Sequence, residues 1–351
     1  MMLLWHHLFY KKTFFKKHMI LPLFLTQDQL YKSGLFCGQC LSVFAFITGY
    51  GFYLSLKKQT NGNTLFFGNW VTSRLKKIYC DYWFVFILVA VVTTLIDGRF
   101  VKVFFDENTT LFEGCFHAVI NFFGLSYFYS TPTQCSTWWY MSEVIVFIIS
   151  APAFFLCSNC FGSIATVALA SILPRILGIE NVKVYGLIIP FLIGMWFSKD
   201  DLFTKLFNWK ICSSLKVSSV LKLLMISILF LLSVYTYFQV ERSVYWGFAR
   251  GLLTIPMILF FVFYLIHVPG IRSILIFLGD YSLYIFLLHT FIKSTYCNGF
   301  VYGLRYPLLM FTVLLLASLG LSIIVCWAKN KLFFFVRYYR KESGNQVQEK
   351  R

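Results

Sequence analysis

Apolar runs separated by short polar connections set the rhythm of the chain. Runs of spanning length lie at Leu35 to Leu56, Tyr79 to Ile96, Trp138 to Cys157, Phe161 to Leu177, Val182 to Phe197, Val220 to Val240, Phe248 to Val268, Tyr281 to Tyr296 and Leu308 to Ala328. A hydrocarbon core takes roughly 20 apolar residues per helix, and backbone polar groups in lipid must be satisfied within their own segment. Each run therefore predicts a transmembrane α-helix. Ahead of them stands Met1-Met2-Leu3-Leu4-Trp5-His6-His7-Leu8-Phe9-Tyr10, which meets Lys11, Lys12, Lys16 and Lys17 after about half a span. It reads as the second half of a membrane helix. With it the pattern predicts an all-α integral membrane protein, a bundle of about ten transmembrane helices with the first incomplete.

Two connections exceed what a hairpin needs. Lys57 to Ile78 holds Leu65-Phe66-Phe67-Gly68-Asn69-Trp70-Val71-Thr72-Ser73-Arg74-Leu75-Lys76-Lys77-Ile78, an aromatic and basic segment suited to lying in the cytoplasmic interface. Asp97 to Thr137 has a helical apolar pattern around Phe112 to Phe123 and then the polar Ser130-Thr131-Pro132-Thr133-Gln134. No internal repeat is evident. The simplest organisation is one transmembrane domain over residues 1–340, followed by a polar cytoplasmic tail, 341–351, expected to be unstructured.

Composition removes the soluble alternative. The chain is 59% hydrophobic and 13% charged, and a soluble core of that make-up would leave large apolar patches in water. The formal net charge of +17 does not point to nucleic acid, because Lys and Arg sit in short clusters between apolar runs. Such clusters fix orientation and favour anionic lipid headgroups. Lys57, Lys58, Arg74, Lys76, Lys77, Lys199, Lys205, Lys210, Lys216, Arg272 and the basic tail mark the cytoplasmic face; Asp97, Asp106, Glu107 and Glu113 mark the other. The Lys11 to Lys17 cluster opposes that assignment and is outvoted. Among ten cysteines, the pairs Cys37/Cys40 and Cys157/Cys160 fall at opposite membrane faces, which excludes a shared four-cysteine metal site.

Ionisable residues within spans are candidates for chemistry, because lipid tolerates them only at a cost. They are His6, His7, Glu143, Arg175, Arg250, His267, His289 and Lys293. Arg175 follows Pro174 near a helix end, His267 closes a span before Pro269-Gly270, and Lys293 is expected to snorkel to the interface. Glu143 lies a turn inside its span and calls for a histidine or arginine partner across the bundle. His6 and His7 are suited to proton exchange near neutral pH, or else sit interfacially beside the lysines.

Four blocks resemble a known family. Ala45-Phe46-Ile47-Thr48-Gly49-Tyr50-Gly51 and, after a basic loop, Trp70 to Tyr79 are similar to the F-I-S-G-[FY] and R-[LI]-x-[RK]-[IL] blocks of the membrane-bound acyltransferase-3 family, which O-acylates bacterial surface glycans. Trp138 to Glu143 resembles its W-x-L-S-x-E segment, and Leu278 to His289 its late L-G-x-x-S-x-x-[IL]-[YF]-L-x-H segment. The blocks keep the family's order and cover nearly the whole chain. Thr48 stands where the family has Ser, Lys77 where Arg is common and Cys80 where Pro is frequent. The family's first block pairs a basic residue with a histidine eleven positions later; His6 matches the histidine, and its partner would fall ahead of Met1, as a start codon assigned too late would produce.

The resemblance implies an acyl-CoA donor, most often acetyl-CoA, a glycan or lipid-linked sugar acceptor, no metal, and a place in the plasma membrane. His6, or His7 in its stead, would act as general base or as a transient acyl carrier, with Glu143 orienting the imidazole. Arg74, Lys76 and Lys77 would hold the CoA phosphates, with Gly49 and Gly51 lining the CoA channel or closing helix contacts. Trp138, Trp139, Ser282 and His289 would line the acceptor side, His289 serving otherwise as a structural hydrogen-bonder. A transporter of a glycan precursor or small anion and a catalytically silent copy are the alternatives.

Overall fold

The computed structural model describes the backbone at residues 1–21, 25–60, 67–176, 182–240, 243 and 245–348, and among these all regular structure is helical. Helices α1 (Met2–Phe9) and α2 (Lys12–Lys17) come first. Next is α3 (Gln27–Cys37), opened by a reciprocal cap in which Thr26 Oγ1 accepts from the Gln29 amide at 3.2 Å and Gln29 Oε1 from the Thr26 amide at 2.8 Å. Gly38 and Gln39 separate it from α4 (Cys40–Thr60). The long α5 (Phe67–Asp97) contains most of the segment expected to lie in the interface. Its basic and aromatic residues are the first turns of a spanning helix, since nothing between Trp70 and Tyr79 breaks helical periodicity; Leu65 and Phe66 lie outside the described residues.

The connection after Asp97 folds into α6 (Arg99–Phe104), α7 (Leu111–Phe122) and α8 (Ser126–Tyr129). Thr110 and Glu113 cap α7 as Thr26 and Gln29 cap α3. Then follow α9 (Trp139–Phe161), α10 (Ser163–Ile176), α11 (Val182–Lys199), α12 (Leu202–Asn208), α13 (Leu215–Gln239) and α14 (Trp246–Phe263). The last part comprises α15 (Ile271–Asp280), α16 (Ser282–Thr290), a π turn over Phe291–Tyr296, α17 (Asn298–Gly303) and α18 (Pro307–Gln348). The final helix carries its backbone into the segment expected to be an unstructured tail, and residues 349–351 lie outside the described residues.

The all-α membrane class holds. Six described helices are long and apolar enough to cross a bilayer, and α15 with α16 and its π turn, bent by 62°, makes a seventh. The expected spans near 161–177 and 182–197 are the helices α10 and α11, of 14 and 18 residues, whose described apolar stretches are Ser163–Ile172 and Gly186–Lys199, and α1 is 8 residues long.

Two features fix the frame around the site. Helices α4 and α11 meet backbone to backbone: a Cβ on Gly49 would lie 2.0 Å from the Phe191 carbonyl oxygen, and one on Gly194 2.0 Å from that of Phe46. Helices α5 and α16 run side by side in the same direction, since Tyr284 donates to Asp81 at 2.7 Å near one end and Tyr296 to Asp97 at 3.4 Å near the other. Lys329 of α18 pairs with Asp81 as well, so three helices share one polar junction. Trp138, just ahead of α9, donates its indole N–H to Leu287 O at 3.0 Å and so ties α9 to α16.

Candidate active site

Helix α1 crosses α3 at two glycines one turn apart. A Cβ on Gly34 would lie 2.7 Å from the Phe9 carbonyl carbon, and one on Gly38 3.0 Å from Cε1 and Nδ1 of His6. Only a glycine surface lets α1 come this close, and the approach sets the imidazole down on α3. His6 Nδ1 lies 2.8 Å from Gly34 O. A ring nitrogen facing a carbonyl oxygen carries the proton, so His6 is assigned the Nδ1–H tautomer with its lone pair on Nε2. Tyr10 stacks on the same ring with centroids 5.0 Å apart.

His7 continues the cluster. Its ring centroid lies 5.1 Å from that of His6 and 5.0 Å from that of His289 in α16. His289 is fully buried; its Nδ1 faces the carbonyls of Ile285 and Phe286, both at 2.9 Å, and Thr290 Oγ1 lies 3.2 Å from Nε2. Both ring nitrogens are thus engaged, which fits the structural reading of this residue. Three imidazoles from α1 and α16, far apart in the chain, stand in one row.

Beside the row lies a second polar group. Arg250 of α14 is 5% exposed; its Nε donates to Ser42 Oγ at 2.9 Å, its Nη2 to Gly38 O at 3.2 Å, and its guanidinium lies 4.8 Å from the Trp246 ring centroid. Gly38 therefore carries an imidazole against its Cα and a guanidinium on its carbonyl. An open apolar cleft of about 470 Å³ between α1, α3, α13 and α14 ends at the neighbouring Cys37, with Met2, Phe36, Ile226, Phe230 and Phe260 also on its walls.

A family model described as an acyltransferase domain matches residues 1–328, which takes in every residue of the two groups. The chain belongs to the acyltransferase-3 family. Neither the comparison with curated proteins nor that with solved structures returned a match.

In this acyltransferase the expected pairing of Glu143 with His6 is not formed. Glu143 is fully buried in α9, neither carboxylate oxygen has a hydrogen-bond partner among the described residues, and Arg250 is a charged neighbour. The orienting place on His6 belongs to the Gly34 carbonyl, because α1 packs against α3, α4 and α18. An unbonded buried carboxylate is costly to keep. Glu143→Gln is accordingly expected to leave the thermal midpoint of the purified protein unchanged or raised, read by a melting assay in detergent.

The other expected site residues separate. Arg74 is half-buried, donating from Nη2 to Ser55 Oγ at 2.8 Å between the rings of Phe52 and Trp70, while Lys76 and Lys77 are exposed on the same turn and the next. Gly49 lies against the Phe191 backbone, and a Cβ on Gly51 would have nothing within 4 Å among the described residues. Trp138 is a buried core residue against Tyr82, Phe86 and Phe291, and Ser282 closes a local turn by donating to Gly279 O at 2.8 Å. Trp139 is half-buried between the rings of Tyr127 and Tyr140. Lys293 does not snorkel: it is 5% exposed and donates to His7 O at 2.9 Å. The side chain of Arg175 lies outside the described residues. Gly34 and Gly38 were missed, although G-x-x-x-G spacing is the sequence signature of a close helix crossing.

Proposed function

We propose that this acyltransferase moves an acyl group, acetyl in the first instance, from acyl-CoA to a hydroxyl of a cell-surface or lipid-linked glycan at the cell membrane. The observation that carries the reading is His6, its Nδ1 anchored on a backbone carbonyl and, among the described residues, no hydrogen bond on Nε2. A sugar hydroxyl is a poor nucleophile at neutral pH and needs a positioned base. His6 Nε2 takes its proton as the oxygen attacks the thioester carbonyl carbon, and returns it to the departing CoA thiolate. Gly34 O does for this ring what a carboxylate does in a triad, holding the tautomer and the ring plane.

The donor's phosphates fit the opposite end of the bundle. Arg74 is braced by Ser55, Lys76 and Lys77 are free to reach water, and phosphate groups are held well by such cations. From Tyr284 at Asp81, His289 lies five residues outward along α16 and Arg74 seven residues inward along α5, an axial separation of about 18 Å at 1.5 Å per residue. The pantetheine arm would span that distance. An apolar cleft lined by Cys37, the residue before Gly38, would suit the tail of a lipid-linked acceptor.

Purified protein in lipid nanodiscs, given radiolabelled acetyl-CoA and the lipid-linked glycans of the host membrane, is expected to label the glycan and release CoA. Arg74→Gln should raise KM for acetyl-CoA about tenfold or more with kcat nearly unchanged, the signature of lost binding to a charged group. Substrate accumulation in sealed vesicles without any thioester would instead establish a transporter.

A further inference from the structure

Lys293 takes no part in the chemistry above, yet its setting is the least ordinary in the molecule. It is 5% exposed and sits in the π turn that continues α16, one helical turn beyond His289. Single π turns recur at functional sites, where the altered winding aims a side chain that a regular helix would not. Its ammonium donates to His7 O at 2.9 Å and lies 5.9 and 5.2 Å from the ring centroids of Tyr10 and Phe14. Within electrostatic range of it are the imidazoles of His6, His7, His18 and His289, with Lys11 and the Cys135 thiol. Among the described residues no carboxylate pairs with it.

An ammonium has three N–H donors, and the carbonyl of His7 occupies one. Burying a cation without a counter-charge is expensive, so a site that keeps one is built to meet negative charge. During acyl transfer, negative charge develops on one atom at this end of the bundle, the former carbonyl oxygen of the thioester. We propose that Lys293 is the group that stabilises this oxyanion. The assignment rests on the acyl-transfer reading of the same site.

The step balances as follows in bonds. The acceptor O–H gives its proton to His6 Nε2 as its oxygen bonds to the thioester carbon, and the C=O π pair moves onto oxygen, where a Lys293 N–H meets it. On collapse the C=O bond re-forms, the C–S bond breaks, and the CoA sulfur takes the proton from His6. Lys293 neither gains nor loses a proton over the cycle. An ammonium placed where charge appears acts through electrostatic stabilisation, worth about 10²- to 10³-fold in kcat when one such donor is removed.

Lys293→Met and Lys293→Arg, assayed beside the parent for acetyl transfer in nanodiscs, decide the matter. The expected result is a Lys293→Met kcat lower by about 100- to 1000-fold with KM for acetyl-CoA unchanged, and a Lys293→Arg kcat above that of Lys293→Met because the charge is kept. The Lys293→Met protein should melt no lower than the parent, since removal of an unpaired buried cation relieves a cost. A purely structural clamp on His7 predicts a lower melting point and a kcat restored on cooling, and that result overturns the proposal. So does a Lys293→Met kcat equal to the parent's. A parent that turns over no acyl-CoA removes the acyl-transfer reading itself, an outcome separate from failure of the lysine assignment in a working enzyme.

Discussion

His6→Ala is expected to lower acyl transfer by about 10²- to 10⁴-fold while leaving the bundle folded, the range set by loss of a positioned general base. Folding should survive because the ring contributes a single hydrogen bond, to Gly34 O, and lies at the junction of α1 and α3 with apolar contacts made mainly by Leu4, Leu8 and Phe9. Single-turnover release of CoA from labelled acetyl-CoA, with melting and size-exclusion profiles alongside, is the measurement. His7→Ala serves as the comparison. Its ring lacks a hydrogen-bonded anchor among the described residues and touches His6, His289 and Tyr10 only through ring faces and edges. A smaller loss in His7→Ala than in His6→Ala supports His6 as the base; the reverse order would transfer the role to His7. Gly38→Ala offers a check that leaves both histidines in place. Its methyl would meet the imidazole at 3.0 Å and turn the ring off Gly34 O, so kcat should fall without loss of the side chain that carries the proton.

Gly49→Val and Gly194→Val are expected to abolish a well-behaved protein. Each added Cβ would lie 2.0 Å from a carbonyl oxygen of the facing helix, and backbone cannot step aside as a flexible side chain does. Relief requires α4 and α11 to move apart, and Phe46, Phe191 and the neighbouring buried residues lose their packing when they do. Overpacking in a close-fitting core costs about 1–3 kcal/mol and more where backbone is involved. A monodisperse peak lost on size exclusion, or a midpoint lowered by several degrees, would show it. Gly51→Val is the control on the same helix: nothing lies within 4 Å of its Cβ, and its melting should match the parent's.

Much of this architecture is written in the apolar runs. A stretch such as Val220 to Val240 or Leu308 to Ala328 has one physical solution in lipid, a helix with its own backbone satisfied, and α13 and α18 are those helices. Bends and depths are less legible. The apolar runs begin at Leu35 and Tyr281, and so do not show that α3 leads into α4 as one span or that α15 meets α16 at 62°. For the site, periodicity identifies a buried ionisable residue and not the helix that faces it. His6, His7 and His289 were recognised as candidates, and the row they form depends on α1 docking against α16, which no local pattern encodes. Glu143 illustrates the limit from the other side. Its depth called for a cationic or imidazole partner, but packing placed a backbone carbonyl on His6 and left the carboxylate unbonded beside Arg250. Lys293 has a stem long enough to reach the interface, and only the π turn with the His7 carbonyl accounts for its inward position.

Gly38 has no side chain and still governs how two helices communicate. With the His6 ring against its Cα and the Arg250 guanidinium of α14 on its carbonyl, Gly38 joins α14 to the imidazole through one stretch of backbone. The apolar cleft between α13 and α14 includes Cys37, the residue before Gly38, on its wall. Under the proposed reaction, a displacement of α14 would therefore carry over to the alignment of the His6 ring.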